Sequence, residues 1–149
     1  MSKIYFQELN INSSLLYRRT LKKFLFLIFN NEHTQIKRVD IIFCSDDYLL
    51  SLNKEFLNHN YYTDTLSFIL SDSREPIIAE LYLSIDRIQA NSKTYRSIYQ
   101  QELVRVIIHS CLHLCGYLDK PEENNKIMIR KQESYLKSWF VSRETQIGD

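Results

Sequence analysis

From Glu102 to Gly116 the chain reads Glu-Leu-Val-Arg-Val-Ile-Ile-His-Ser-Cys-Leu-His-Leu-Cys-Gly, and few architectures can house such a segment. Leu103, Val104, Val106, Ile107, Ile108, Leu112 and Leu114 leave little room for a solvated face. The segment therefore predicts a mostly buried helix, from about Tyr99 to Cys115. A buried helix needs other elements around it, which calls for a layered domain. It also carries His109 and His113 into the interior. Four residues apart on a helix, two imidazoles stack on one face about one turn apart. Each must find a partner there, because an unsatisfied buried polar group is costly.

The residues just beyond the histidines narrow the possibilities. The 149 residues include only two glycines, Gly116 and Gly148. Against a usual share of roughly 7%, this excludes collagen-like and Gly-rich linker classes. It also excludes functions that need a glycine-rich phosphate loop. Gly148 lies in a tail, so the body of the chain has one glycine. Gly116 is placed to be the left-handed residue that stops the histidine helix and turns the chain back. Asp119 stands three residues later, giving the pattern H-x3-H-x2-G-x2-D. In one reading His109, His113 and Asp119 hold a zinc ion and leave the fourth position open for water, the mark of a catalytic site. Another divalent transition metal would suit the same ligands. In the other reading Asp119 caps the helix entered at Pro121. Cys111 is rotated roughly 200° from His109, so Cys111 and Cys115 face away from the histidines and read as small buried hydrophobes. Ser110 occupies the position at which an H-E-x-x-H peptidase carries its general base, which weakens a protease reading.

The rest of the chain supplies the layers. Residues 3–9 read as a strand, and Asn12-Ser13-Ser14 as the cap of a helix of about 16 residues with Tyr17, Leu21, Phe24, Leu25 and Ile28 on its core face. Arg18, Arg19, Lys22 and Lys23 read as the solvated side of that helix. Val39, Ile41 and Phe43 alternate as in a strand with one buried face. Ser45-Asp46-Asp47 caps a helix through Phe56, and strands are expected at Thr65–Leu70 and Ile77–Ile85. Further helices are expected from about Asp86 to Ser97, from Tyr99 to Cys115 and from Pro121 onward, the last with Met128, Gln132, Tyr135, Leu136 and Trp139 in its helical period. The expected fold is one α/β or α+β domain over residues 1–149, with a mixed four-stranded sheet and about five helices. Its metal site sits on a buried helix and the turn after it.

A formal charge of +1 argues against a protein that coats nucleic acid by bulk charge, without excluding a local basic patch. Cys44, Cys111 and Cys115 make a poor disulfide framework and suit a reducing cytosol. The N-terminus lacks the design of a signal peptide. The longest apolar run, Phe24 to Phe29, falls far short of the ~20 residues needed to cross a bilayer. A cytoplasmic location and no membrane partner are expected.

Three blocks then point to a family. Ser51-Leu52-Asn53 with Thr63-Asp64-Thr65-Leu66-Ser67-Phe68, Ala79-Glu80-Leu81-Tyr82-Leu83-Ser84-Ile85-Asp86-Arg87, and His109-Ser-Cys-Leu-His113-Leu-Cys-Gly116-Tyr117 stand in the order and at the spacing of its motifs. In these blocks the chain resembles the YbeY endoribonucleases, bacterial metal-dependent hydrolases of ribosomal RNA maturation. The resemblance implies single-strand-specific cleavage of RNA, with the small ribosomal subunit and the Era GTPase as partners. It also shows departures. Asp119 stands where the family commonly has a third histidine, and its charge should make the metal a weaker Lewis acid. Leu57 stands where the family usually carries an arginine thought to contact RNA phosphate; Lys54, Arg87 or the basic cluster of the first helix are the substitutes at hand. Ala79-Glu80 replaces a Gly-Asp pair, with Glu80 a candidate partner of a metal ligand. His59, Tyr61 and Tyr62 are candidates to stack on unpaired bases. The expected chemistry is cleavage of an RNA phosphodiester, by hydrolysis with a metal-activated water or by transesterification in which the RNA 2′-hydroxyl attacks phosphorus and the 5′-oxygen leaves. The rival functions are a ribosome-associated binding factor that has lost catalysis and, more distantly, a metallopeptidase.

Overall fold

The structure is a computed structural model. It describes residues 1–57 and 63–148, the side chains of 143–148 excepted. His59, Tyr61 and Tyr62 lie outside the described residues.

The elements run β1 (Lys3–Glu8), α1 (Arg18–Asn31), β2 (Ile36–Cys44), α2 (Asp46–Leu57), β3 (Thr65–Ile69), β4 (Ile77–Ser84), α3 (Ile85–Thr94), α4 (Tyr99–Leu114) and α5 (Glu122–Gly148). The strands form one sheet in the order β1-β2-β4-β3. β2 runs parallel to both β1 and β4, while β3 is antiparallel to β4, so the sheet is mixed as expected.

The register divides the sheet into two faces. Val39, Ile41 and Phe43 of β2 lie beside Ala79, Leu81 and Leu83 of β4, all fully buried. This face meets Leu21, Leu25 and Ile28 of α1 and the apolar side of α4 in the main core. The opposite face carries Cys44, Leu66, Phe68 and Tyr82, and α2 covers it with Leu49 and Leu52. α4 is thus enclosed by α1, α3, α5 and the sheet, and ten of its sixteen residues are buried. That is the burial its composition demands.

Several local expectations are corrected. α1 starts at Arg18, because Ser13 and Asn12 use their side chains within the preceding loop. Ser13 Oγ accepts the Leu15 N–H, and Asn12 Oδ1 accepts the Ser14 N–H. Tyr17 is not in the core: it stands in the left-handed conformation at the start of the helix, about half exposed. β2 is buried on both faces from Val39 onward, since it is an inner strand with helices on each side. Ile85 opens α3 instead of ending β4, with Ser84 as the cap whose Oγ accepts the Arg87 N–H. Gly148, read as tail, belongs to α5. The Ser45 cap of α2 is as expected, its Oγ accepting the Tyr48 N–H at 3.1 Å.

Candidate metal centre

α4 ends in a Schellman turn. The Gly116 N–H donates to the His113 carbonyl at 3.0 Å and the Tyr117 N–H to the Leu112 carbonyl at 3.2 Å. Gly116 has φ +99°, a conformation that glycine adopts without strain. The reversed chain then brings two groups back to the helix. The Tyr117 carbonyl meets His113 Nδ1 at 3.0 Å. The Asp119 carboxylate faces both rings, with Oδ1 3.5 Å from His109 Nε2 and Oδ2 3.1 Å from His113 Nε2. Of the two readings of Asp119, the geometry turns its carboxylate to the histidines, not to the first amides of α5.

The hydrogen bonds specify how each ring is protonated. His109 Nδ1 lies 2.6 Å from Gln132 Oε1, and His113 Nδ1 faces a main-chain carbonyl. Both oxygens only accept, so each Nδ1 carries its proton and donates. In the neutral rings the Nε2 lone pairs are then bare. Those two nitrogens are 3.0 Å apart and share the Asp119 carboxylate. Two lone pairs and an anion converging on one point repel unless a cation lies among them. Nitrogens bound at about 2.0–2.1 Å to one tetrahedral ion sit roughly 3.3 Å apart, close to this separation. The donor set of two imidazoles and a carboxylate therefore fits a divalent transition metal. His109, His113 and Asp119 form such a cluster, their ligand atoms all within 4.8 Å of one another.

The thiols stay out of it. Burial pushes Cys44 up to about 12, Cys115 up to about 11 and Cys111 higher still, so none is a thiolate near neutrality. Ser110 is fully buried, donates to the Val106 carbonyl and shares a 2.9 Å hydrogen bond with Thr65 Oγ1. It ties the histidine helix to the start of β3.

A family model for endoribonuclease YbeY matches residues 5–140. The chain belongs to the endoribonuclease YbeY family. Its relatives include the endoribonuclease YbeY of Karelsulcia muelleri, 41% identical over 114 residues, or 76% of this chain and 80% of the relative. That of Cytophaga hutchinsonii is 36% identical over 133 residues, covering 89% and 93%. Among solved structures, the solution structure of TM1509 from Thermotoga maritima superposes with a TM-score of 0.69 at 29% identity, covering 99% of this chain and 96% of that one.

Within this YbeY-family chain the ligand cluster consists of His109, His113 and Asp119, and the remaining candidate residues have other neighbours. Glu80 is paired with Asp40 and Phe68 on the α2 face of the sheet, across the sheet from α4. It lines a groove of about 510 Å³ together with Tyr48, Phe56, Phe68 and Tyr82. Arg87 is joined to Asp46 at 2.8 Å, linking the starts of α3 and α2. Lys54 is exposed on α2, one turn before Leu57. In the basic cluster of α1, Arg18 pairs with Glu8 and Lys22 lies against the Tyr5 and Phe6 rings.

Gln132 is the residue that sequence reasoning missed. Periodicity places it on the packed face of α5 and assigns it no role at the site. A buried amide in that stripe is itself the signal, because it needs a polar partner on the facing helix.

Proposed function

We propose that this chain is a divalent-metal-dependent endoribonuclease that cleaves single-stranded ribosomal RNA during ribosome biogenesis. The observation that carries the reading is the convergence of two bare imidazole nitrogens and a carboxylate at the end of α4, in a member of an endoribonuclease family. His109, His113 and Asp119 hold the ion, which we assign as zinc from the nitrogen and oxygen donors. When bound, it supplies Lewis acidity toward a phosphodiester and acidity to water.

The chain's own residues do the rest. Gln132 and the Tyr117 carbonyl fix the two rings, and Gly116 sets the turn that returns Asp119. The side chain of Asp119, about half exposed, leaves the cluster open to a large polyanionic substrate. We assign Lys54 as a phosphate contact: it is exposed and shares a helix face with Leu57, where the family's arginine is missing. Arg87 is tied to Asp46, and Glu80 lies on the α2 face of the sheet. Ser110 supplies no carboxylate, which leaves a peptidase mechanism without its base. The family resemblance extends the reading to the small ribosomal subunit and the Era GTPase as partners. A cytoplasmic location agrees with three free cysteines and with no helix, among the described residues, long and apolar enough to cross a membrane.

The test is His113→Ala, with metal content measured by elemental analysis, cleavage followed on a single-stranded ribosomal RNA fragment, and folding checked by circular dichroism. Loss of both metal and cleavage in a folded variant is expected. Unchanged metal content and cleavage would overturn the proposal. Leu57, 40% exposed at the arginine position, motivates a second reading as an RNA-binding factor. Wild-type protein that binds metal yet cleaves nothing under any divalent ion would favour it.

A further inference from the structure

The two histidines are held differently. The acceptor for His113 is a peptide carbonyl, whose oxygen has no alternative orientation. The acceptor for His109 is the side-chain amide of Gln132, which presents an oxygen or an NH₂ according to a half-turn about its last bond. With the NH₂ toward the ring, His109 Nδ1 would have to accept, its proton would move to Nε2, and the nitrogen facing Asp119 and His113 would no longer offer a lone pair. Something must hold the amide in the productive sense.

Glu133 does so. Gln132 Nε2 donates to Glu133 Oε2 at 3.0 Å. An ionised carboxylate only accepts, so the group facing it is the NH₂ and the oxygen is left for His109. Glu133 is itself fixed from α4: Arg105 Nε reaches Oε2 at 3.0 Å and Arg105 Nη2 reaches Oε1 at 3.1 Å. Arg105 is held in turn by the buried Glu102, three residues earlier, which also accepts from Ser97 Oγ. The chain of contacts thus runs from the connection between α3 and α4 through α4 to α5 and returns to His109.

We propose that Glu133 is a positioning residue that selects the metal-accepting tautomer of His109 by fixing which end of the Gln132 amide faces the imidazole. The proposal rests on the metal-centre reading for its consequence, and on the hydrogen bonds alone for the tautomer.

Glu133→Lys tests it, since an ammonium at this partly exposed position donates only and should draw the amide oxygen toward itself. Long-range ¹H–¹⁵N correlation spectra of the metal-free protein report which ring nitrogen of His109 carries the proton. Nδ1–H is expected in the wild type and Nε2–H in Glu133→Lys, with Glu133→Gln between them because its amide offers both donor and acceptor. Zinc affinity, measured by chelator competition, should fall about ten- to hundredfold in Glu133→Lys. Adding Gln132→Glu should restore it, since a carboxylate accepts through either oxygen and has no wrong orientation. A purely structural part for the Glu133–Arg105 ion pair would not be rescued in this way. An unshifted tautomer in Glu133→Lys, or a double variant no better than the single, overturns the proposal. If the tautomer shifts but the wild type itself takes up no metal, the metal-centre reading fails while the selection of the tautomer stands.

Discussion

Gly116 adopts φ +99°, with open space where a Cβ would stand, so alanine there meets no clash and suffers only backbone strain. That strain costs about 1–2 kcal/mol for a non-glycine residue in the left-handed region. Gly116→Ala should lower the denaturant midpoint accordingly and weaken zinc binding, because the Schellman turn sets both the Tyr117 carbonyl and Asp119. Wild-type zinc affinity in this variant would show that neither group depends on the turn. At this scale much is legible in the sequence. The i, i+4 histidines, Gly116 and the following aspartate lie within eleven residues of chain, and local geometry governs such a span. Gln132 and Glu133 are not legible as parts of the site: their partners are on α4, 23 and 28 residues away, and only packing of the two helices reveals them. Glu80 is a related case, since its place in the strand is local but the face it shares with α2 is set by the sheet.

Among the elements, α1 is secured at its C-terminal end by a carboxylate. Glu32 accepts from the Tyr117 hydroxyl at 2.5 Å and from the Tyr135 hydroxyl, with Lys131 Nζ at 3.4 Å. Burial pushes its carboxyl up, but the two phenols and the ammonium outweigh this and hold it below its ordinary 4.5. A group depressed in the folded state contributes stability in full above its unfolded value, and that contribution is lost as pH falls through the folded value. Glu32→Gln should therefore reduce stability at neutral pH and flatten the acid limb of denaturant unfolding below pH 4.5. An acid limb as steep as the wild type's would remove Glu32 from this role. Helix starts are harder to read than helix faces. Leu21, Leu25 and Ile28 are given by periodicity, whereas the start of α1 is decided by Asn12 and Ser13 turning their side chains on the loop. Polar side chains that cap in one context compete with the helix in another.

For the molecule as a whole, the layers are implied by the apolar composition of α4, yet the strand order β1-β2-β4-β3 is not. Alternation in a strand reports which residues share a face; it says nothing of which strand lies alongside. The double burial of β2 arises only from its inner place between two neighbours with α2 behind it. The cluster spans α4 and the turn after it, and through Gln132 it reaches α5, so a bound ion should stabilise the folded chain over the unfolded one. With the free ion a thousandfold above the dissociation constant, the gain is about 4.1 kcal/mol. The thermal midpoint should accordingly rise with zinc and fall back on chelation, and His113→Ala should abolish the response. A zinc-insensitive wild type would contradict the centre. The Tyr117 carbonyl that holds His113 has a consequence for how such a chain ages under mutation. Substitution exchanges side chains and leaves peptide groups behind, so no change at position 117 other than one that breaks the turn deletes this acceptor. The acceptor behind His113 is inherited with the backbone, and loss of function by drift must enter through the side chains of His109, His113 and Asp119, through Gln132, or through the glycine.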